Sequence, residues 1–531
     1  MKQTRPNLSQ FLKLPNPGWR AYASHVVEGQ PEDYRPPFWK GLSRETVLNR
    51  WQDRYDSLRG KVQVPGLTEF ESEMRSKVGP LSVQLPLSER LETIEHYYTL
   101  SSVASVPIIP EAIEETWKTF RKSGDVRLKS IPNVFAGMRK DTNSGTPYFI
   151  KRRRALAETL EALRGHEFDP EYLSTYLNSA ILGWRGQEGG PDKDDVKQRV
   201  VWMMPFGLNA QEGMFYQPAI TSWQKNQINS AYISFTAVEE KITQLFNTKG
   251  DEYVVVTDFS KFDQHFNSDL QEAARNLEFR MAAKDPKMEA WIQYIFPFKF
   301  KIPLICSENI LYEGPHGMAS GSTGTNFDEC CAHTAMQHEC AILNGATLNP
   351  YSNAYGDDGY LSFKGIDVDK VISVYTSHGQ EMNPDKQSID KHSAVYLRRY
   401  FHDSYRDSKG KMLGIYSTFR ALGRLLGQER YFSDEEVQDD YKSLVILRAY
   451  SILENCNNHP LFHEFVDFVI SGDKYRLGLA IPGFFESLGK KARKFMEVTP
   501  DILGYTKMLQ SDDFRGIENW QVVKYLKEKA R

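Results

Sequence analysis

Cysteine is scarce in this chain: there are five among 531 residues, at positions 306, 330, 331, 340 and 456. The count is odd and no Cys-x-x-Cys pair occurs, which argues against a disulfide framework and fits reduced intracellular thiols. The chain also lacks an opening charged-then-apolar segment, and no apolar run approaches the roughly 18 residues of a spanning helix. A soluble, unexported protein is expected. The formal net charge of −3 gives no chain-wide attraction for polyanions, so any nucleic-acid contact must come from local basic surfaces. There is no HExxH, no Cys/His zinc spacing and no GxxxxGK[ST]. His316, His333 and His338 are therefore read as structural, and a P-loop enzyme is set aside. Repeats and low-complexity tracts are absent too, and at this length two or three subdomains are expected.

What is present centres on Ser352–Phe363, SNAYGDDGYLSF. Aromatic and apolar residues flank Gly-Asp-Asp-Gly, the pattern of strand, tight turn and strand, with Gly356 and Gly359 expected to supply the unusual φ angles. The turn would present Asp357 and Asp358 side by side at its tip. Adjacent carboxylates repel, and a hard cation such as Mg²⁺ relieves them; the other reading is an ordinary exposed turn. A second carboxylate stretch, Tyr253–Asp263, carries a β-branched run that predicts a buried strand ending at Asp258. Carboxylates from separate strands can converge on a two-metal site, which neither strand provides alone. The third piece is the small-residue loop Gly317–Asn326, leading into the helix-like run Phe327–Leu343. Its backbone can come close to a bound strand, and Thr325 and Asn326 also fit capping of that helix.

Taken in order, D-x4-D, SG-x3-TN and YGDD resemble motifs A, B and C of viral RNA-dependent RNA polymerases. The resemblance extends to Gly379–Lys386 (motif D), Tyr396–Phe401 (motif E), Lys197–Val201 (motif F) and Thr142–Tyr148 (motif G), spanning about residues 140–405. Within the family the length and wording resemble the small double-stranded RNA virus polymerases, picobirnavirus first and partitivirus second. The resemblance implies an α+β right-hand fold: an N-terminal strap (1–60), fingers (61–215 and 268–312), a palm with an antiparallel sheet flanked by helices (216–267 and 313–403), and a helical thumb (404–531). Residues 1–60, rich in Pro, Trp and Tyr, read as extended chain with aromatic anchors. The aromatics of Trp291–Phe298 read as core. Ser433 and Glu436 fit a capping box opening a thumb helix over Asp434–Asn455, with a second over Gly489–Val498.

The site roles follow from the same resemblance. Asp258 and Asp357 are the metal ligands, with Asp358 a weaker one, and two Mg²⁺ ions (or Mn²⁺) are the implied cofactors. Asp263 and Asn326 select the ribose 2′-hydroxyl, with Ser320 coupling the loop to Asp263 and Thr325 beside it. Lys193, Lys197 and Arg199 neutralise the triphosphate; Lys197 and Arg199 stand two apart on a strand and so share a face. Lys386 is the candidate general acid for pyrophosphate. Thr142, Ser144, Gly145, Arg152 and Arg153 guide the template, the arginines through phosphate contact or simply as a solvated helix face. Arg398 and Arg399 fit a strand supporting the primer terminus, or simply a surface hairpin with alternating faces. Lys490–Lys494 either touch product duplex or face water.

The implied reaction is template-directed transfer of nucleoside monophosphates to an RNA 3′-end, with primer-independent initiation. The implied partners are template and product RNA and NTPs. A capsid protein is a further candidate, no membrane is involved, and the expected state is a monomer in the virion interior and host cytoplasm. A reverse transcriptase would place a bulky aromatic at Asp263. A decayed, non-catalytic relative would be expected to lose metal ligands that stand intact here.

Overall fold

The computed structural model describes residues 2–176, 178–382, 387–432, 437, 440–498 and 516–531. Its strands run in chain order as β1 (Lys2–Thr4), β2 (Ala180–Gln187), β3 (Lys197–Met203), β4 (Val254–Thr257), β5 (Phe259–Ser260), β6 (Leu304–Ile305), β7 (Leu311–Glu313), β8 (Asn353–Tyr355), β9 (Asp358–Leu361), β10 (Glu381–Met382), β11 (Ser388–Asp390), β12 (Ser393–Tyr396), β13 (Arg399–His402) and β14 (Ile415–Tyr416). They form a five-stranded sheet β1-β7-β6-β2-β3, a four-stranded sheet β11-β4-β9-β8, a three-stranded sheet β12-β13-β14 and the pair β10-β5.

The four-stranded sheet is antiparallel throughout and lies between two cores, which accounts for the valine run. Val255 pairs with Leu361, and both enter the main core beside Cys330 and Met336 of helix Thr325–Leu343 and Val371 and Tyr375 of helix Val368–Ser377. Val254, Val256 and Tyr360 face the other way, against Val238, Ile242 and Leu245 of helix Phe235–Thr248. A strand covered on both faces carries apolar residues at every position instead of alternating. Trp291, Ile292, Ile295 and Phe296 are buried in the main core, in keeping with their reading as core aromatics.

The N-terminal segment packs on two separate cores. Leu12, Trp19 and Ala23 pack with Phe149 and with Ile181, Ile305 and Leu311 of the five-stranded sheet. Phe38, Trp39, Val47, Leu48, Trp51 and Tyr55 enter the core of the thumb helices Thr418–Leu426, Tyr441–Glu454 and Phe462–Gly472. One expectation changes here. The segment is not mainly extended: helices Pro17–Glu28 and Arg44–Ser57 form within it, the first capped by the Asn16 side chain with Pro17 in its opening turn, where proline costs no hydrogen bond. Beyond it, Val64, Leu67, Phe70 and Met74 pack against Tyr400 and Ile415.

Glu71 ties that junction together. Its buried carboxylate accepts hydrogen bonds from Ser417, from Thr418 and from His459 Nε2 at 2.8 Å. Burial alone would raise its pKa, but these bonds outweigh it and hold it below the ordinary value. In the thumb, the expected helix over Asp434–Asn455 is described only from Tyr441, capped by Asp440; the Ser433–Glu436 capping box lies outside the described residues. The second expected thumb helix runs Leu488–Val498.

Candidate active site

β9 runs back along β4 with Thr257 opposite Gly359, so the hairpin turn before β9 lies at the same sheet end as Asp258. Tyr355 pairs with Asp358, which leaves only Gly356 and Asp357 in the turn. The expectation of two aspartates at the tip is thus corrected: Asp357 is at the tip, and Asp358 opens β9. Gly356 adopts φ +64°, as a two-residue turn requires. Gly359 was expected to serve the turn through its backbone angles; its role is space, since a Cβ there would come within 2.6 Å of the His333 ring. His333 is fully buried beneath the turn, and its Nδ1 donates to the Gly356 carbonyl at 2.9 Å. Burial lowers its pKa to about 4, so it stays neutral and structural.

The carboxylates crowd one another. Burial, then the charge of Asp357, pushes Asp358 up to about 7, countered by Arg398 and by a hydrogen bond from the Leu397 backbone N–H. Asp357 is exposed at the tip yet walled by protein; burial and Asp263 raise its pKa, and Arg199 and Arg398 oppose them. Asp258 is held by its backbone. Gln387 accepts from its N–H at 2.9 Å and donates to its C=O at 2.7 Å, extending the β4–β11 pairing past its last register pair, Val256 and Ser388.

Asp263 has three neighbours. The Ser320 hydroxyl donates to it, Arg199 lies 3.1 Å from it and 3.1 Å from Ser320 Oγ, and the buried Glu329 carboxyl stands close enough to feel its charge. Burial and then the Asp263 charge push Glu329 well above its ordinary pKa, which favours its neutral form. The Gly317–Asn326 loop comes close to protein backbone: a Cβ at Gly321 would lie 2.0 Å from the Trp202 carbonyl of β3, and Trp202 N–H donates to Ser320 O at 2.7 Å.

These donors fit a hard divalent cation. Asp258, Asp357 and Asp358 offer carboxylate oxygens, and the charges of Asp357 and Asp258 add to burial in raising Asp358, a repulsion a cation would relieve. Among the described residues no three His, Cys, Asp or Glu side chains close into a protein-only metal cage.

Comparison with known proteins decides the family. The model for viral RNA-dependent RNA polymerases matches residues 133–412. A Human picobirnavirus protein described as a potential RNA-dependent RNA polymerase is 46% identical over 541 residues, covering 99% of this chain and 100% of its own length. The chain belongs to the viral RNA-dependent RNA polymerases. The crystal structure of a human picobirnavirus RNA-dependent RNA polymerase superposes with a TM-score of 0.91 at 44% identity, covering 99% of this chain and 100% of that one. An insertion loop deletion mutant of a human picobirnavirus polymerase gives 0.90 at 43% identity with the same coverage. The right-hand fold and RNA-directed RNA synthesis follow, with RNA and NTPs as partners and the divalent-ion dependence general to the family. The picobirnavirus likeness agrees with these relatives. Among the described residues no helix is long and apolar enough to cross a membrane.

The remaining expected site residues of the polymerase divide by where their side chains go. Lys193 and Lys197 are exposed, and Lys197 and Arg199 share the outer face of β3, whose burial alternates from exposed Lys197 through half-buried Gln198 to exposed Arg199. Arg199 is already engaged with Asp263, whose charge is the main reason its pKa is raised. Thr325 does not cap: the N-cap is Gly324 without a side-chain bond, and the Thr325 hydroxyl turns back to Ala319 O and Ser322 O. Asn326 is one residue further into the helix. Lys386 lies outside the described residues.

The template set separates similarly. Ser144 is fully buried, its hydroxyl accepting from Ile150 N–H, and a Cβ at Gly145 would lie 2.6 Å from Met204 O; both shape the loop and offer no side chain to RNA. Thr142 is half-buried, with its hydroxyl oxygen enclosed and, among the described residues, unpaired. Arg152 turns inward, donating to Asn209 Oδ1 at 2.7 Å and lying over Phe206, and burial lowers its pKa to about 10. Arg153 and Arg154 are exposed. Arg398 is exposed beside the aspartates, whereas Arg399 is spent on Asn455 and on the Phe235 ring at 3.9 Å. The expected arginine pair is therefore one arginine. In the thumb, Lys491 bonds Asp440 and Ser443, while Lys490, Arg493 and Lys494 are exposed.

Sequence reading missed Gln387, Glu329 and the stretch 229–232. Asn229 donates to Ala354 O at 2.8 Å, bracing β8, and Tyr232 OH donates to Asn326 Oδ1 at 2.6 Å. Their partners lie from about sixty to over a hundred residues away, and nothing local marks them.

Proposed function

We propose that Asp258 and Asp357 hold two Mg²⁺ ions, for which Mn²⁺ can substitute, while the polymerase extends an RNA 3′-end, with Asp358 set back as a secondary ligand. The observation that carries this reading is the register placing Asp258, at the end of β4, and Asp357, in the β8–β9 turn, at one end of one sheet. When bound, the ions supply activation of the 3′-hydroxyl and neutralise charge on the departing pyrophosphate. The protein's own groups supply position. Gln387 fixes the Asp258 peptide, and Arg398 and the Leu397 N–H hold Asp358 back from the tip.

Asp263 and Asn326 hydrogen-bond the ribose 2′-hydroxyl, with Ser320 and Arg199 orienting Asp263. A site built for that hydroxyl leaves buried polar groups unpaired when a deoxynucleotide binds. Lys193, Lys197 and Arg199 face the triphosphate, and Arg199 exchanges part of its contact with Asp263 for phosphate. Lys386, on the motif D resemblance, protonates pyrophosphate. Exposed Arg153 meets the template backbone, and Arg398 supports the primer end.

Initiation without a primer, genome replication and transcription in the virion interior and host cytoplasm, and a monomer meeting a capsid protein complete the reading. The test is incorporation of labelled nucleotide on single-stranded RNA with Mg²⁺ and no primer, NTPs against dNTPs. Full-length product from NTPs alone is the expected result. Product only after primer addition would remove the initiation claim, and equal use of dNTPs would remove the ribose roles.

A further inference from the structure

We propose that Tyr232 is a positioning residue for nucleotide selection, setting which end of the Asn326 amide faces the bound ribose. The proposal rests on the reading of Asn326 as a ribose contact. A side-chain amide offers an acceptor at one end and donors at the other, and its hydrogen-bond partners determine which way it points. Here Oδ1 accepts from Tyr232 OH at 2.6 Å and from Cys330 Sγ at 3.5 Å. Nδ2 bonds no protein group among the described residues; it sits against the catalytic turn, where a Cβ on Gly356 would be 2.9 Å away. Asn326 is half-buried. Its donor end is therefore the one available to a hydroxyl oxygen on a nucleotide.

Tyr232 is built to hold this orientation. It is 2% exposed, packed edge-on against Tyr355 of the catalytic hairpin at 5.1 Å and against Trp223 at 5.7 Å. Its short helical turn, Ser230–Tyr232, is capped by Asn229, which also donates to Ala354 O and accepts from Asn353. The tyrosine is thus fastened to the strand that carries the catalytic turn while its hydroxyl reaches the helix that carries Asn326. Burial keeps that hydroxyl protonated and donating. Removing it leaves Oδ1 with a weak thiol donor, and the amide is free to rotate its oxygen toward the ribose.

The experiment measures kcat/KM for an NTP and the matching dNTP on one primed RNA template, for wild type, Tyr232→Phe, Asn326→Ala and the double variant. Phenylalanine keeps the ring packing, so folding is retained. The expected result is a fall of about tenfold in the NTP/dNTP ratio of Tyr232→Phe, the factor carried by one hydrogen bond. The loss should lie in the NTP value, and the double variant should be no worse than Asn326→Ala. A narrowed ratio in Asn326→Ala with an unchanged one in Tyr232→Phe would overturn the positioning role and leave the ribose reading standing. Equal losses for NTP and dNTP in Tyr232→Phe would overturn it as well, assigning the hydroxyl to stability alone. An unchanged ratio in Asn326→Ala would bring down both.

Discussion

Two hairpin turns meet at the sheet end that carries Asp258 and Asp357, and they solve the same backbone problem differently. The β8–β9 turn places glycine, Gly356 at φ +64°, where a left-handed angle is needed, and leaves Asp357 beside it. The β12–β13 turn needs two such angles and fills them with Leu397 at φ 49° and Arg398 at φ 65°. Asparagine and glycine are the usual occupants of such a turn, and a side chain there costs roughly 1–2 kcal/mol. The second turn carries strain because its side chains are used. Leu397 packs on the core that holds Val256 and Tyr360 and lends its N–H to Asp358, while Arg398 offsets the charge of Asp357, Asp358 and Glu188. Where the site needs only the bend, the chain has glycine; where it needs a cation at the bend, the chain accepts strain.

The largest effect should come from the unstrained turn. Asp357→Ala is expected to lower nucleotide incorporation by about 10³-fold or more while RNA binding persists, read from single-turnover extension and a binding titration on the same preparation. A variant with near-normal extension would remove the metal assignment and, with it, the reason for the opposing cation. Gly356→Ala should come next. The added Cβ enters a left-handed angle and presses on Asn326 Nδ2 at 2.9 Å and Glu329 Oε2 at 3.2 Å. A displacement of the turn by a fraction of an ångström to 1 Å is expected to cost about 10²-fold in extension, with a lowered melting temperature from roughly 1–2 kcal/mol of strain. Tolerance of alanine in both measurements would mean the turn does not hold the site.

What could be read in the sequence depended on how far each residue's partners lie. Asp258 and Asp357 were legible because a β-branched run and a Gly-Asp-Asp-Gly turn are local patterns, and the order of the motifs supplied the fold. Gly359 was misread because the His333 ring that excludes a side chain there stands 26 residues earlier on a helix. Arg398 and Arg399 looked alike, yet neighbours at the end of a hairpin point to different sides, and only the fold reveals which side is the cleft. Ser144 and Arg152 carry the right chemistry for RNA but are consumed by the loop they stabilise. Pro17 suggested extended chain and instead opens a helix, since its missing N–H is harmless in the first turn. Gln387, Glu329 and Tyr232 act through contacts made only when distant segments pack, so no window of sequence contains both partners.

The smallest expected effect separates strain from function at one residue. Arg398→Ala and Arg398→Gly both delete the guanidinium, so both should lose extension alike, by about tenfold, the scale of losing one charge aimed at the site. Their stabilities should differ. Glycine adopts φ 65° without the Cβ clash that alanine keeps, so Arg398→Gly is expected to be more stable than Arg398→Ala by about 1 kcal/mol, read as a higher melting temperature. Because Arg398 is exposed, little packing changes with either substitution. Equal activity with unequal stability would show that the strained turn is kept for its cation. Activity following stability instead would mean that the turn's shape, and not its charge, is what the catalytic carboxylates require.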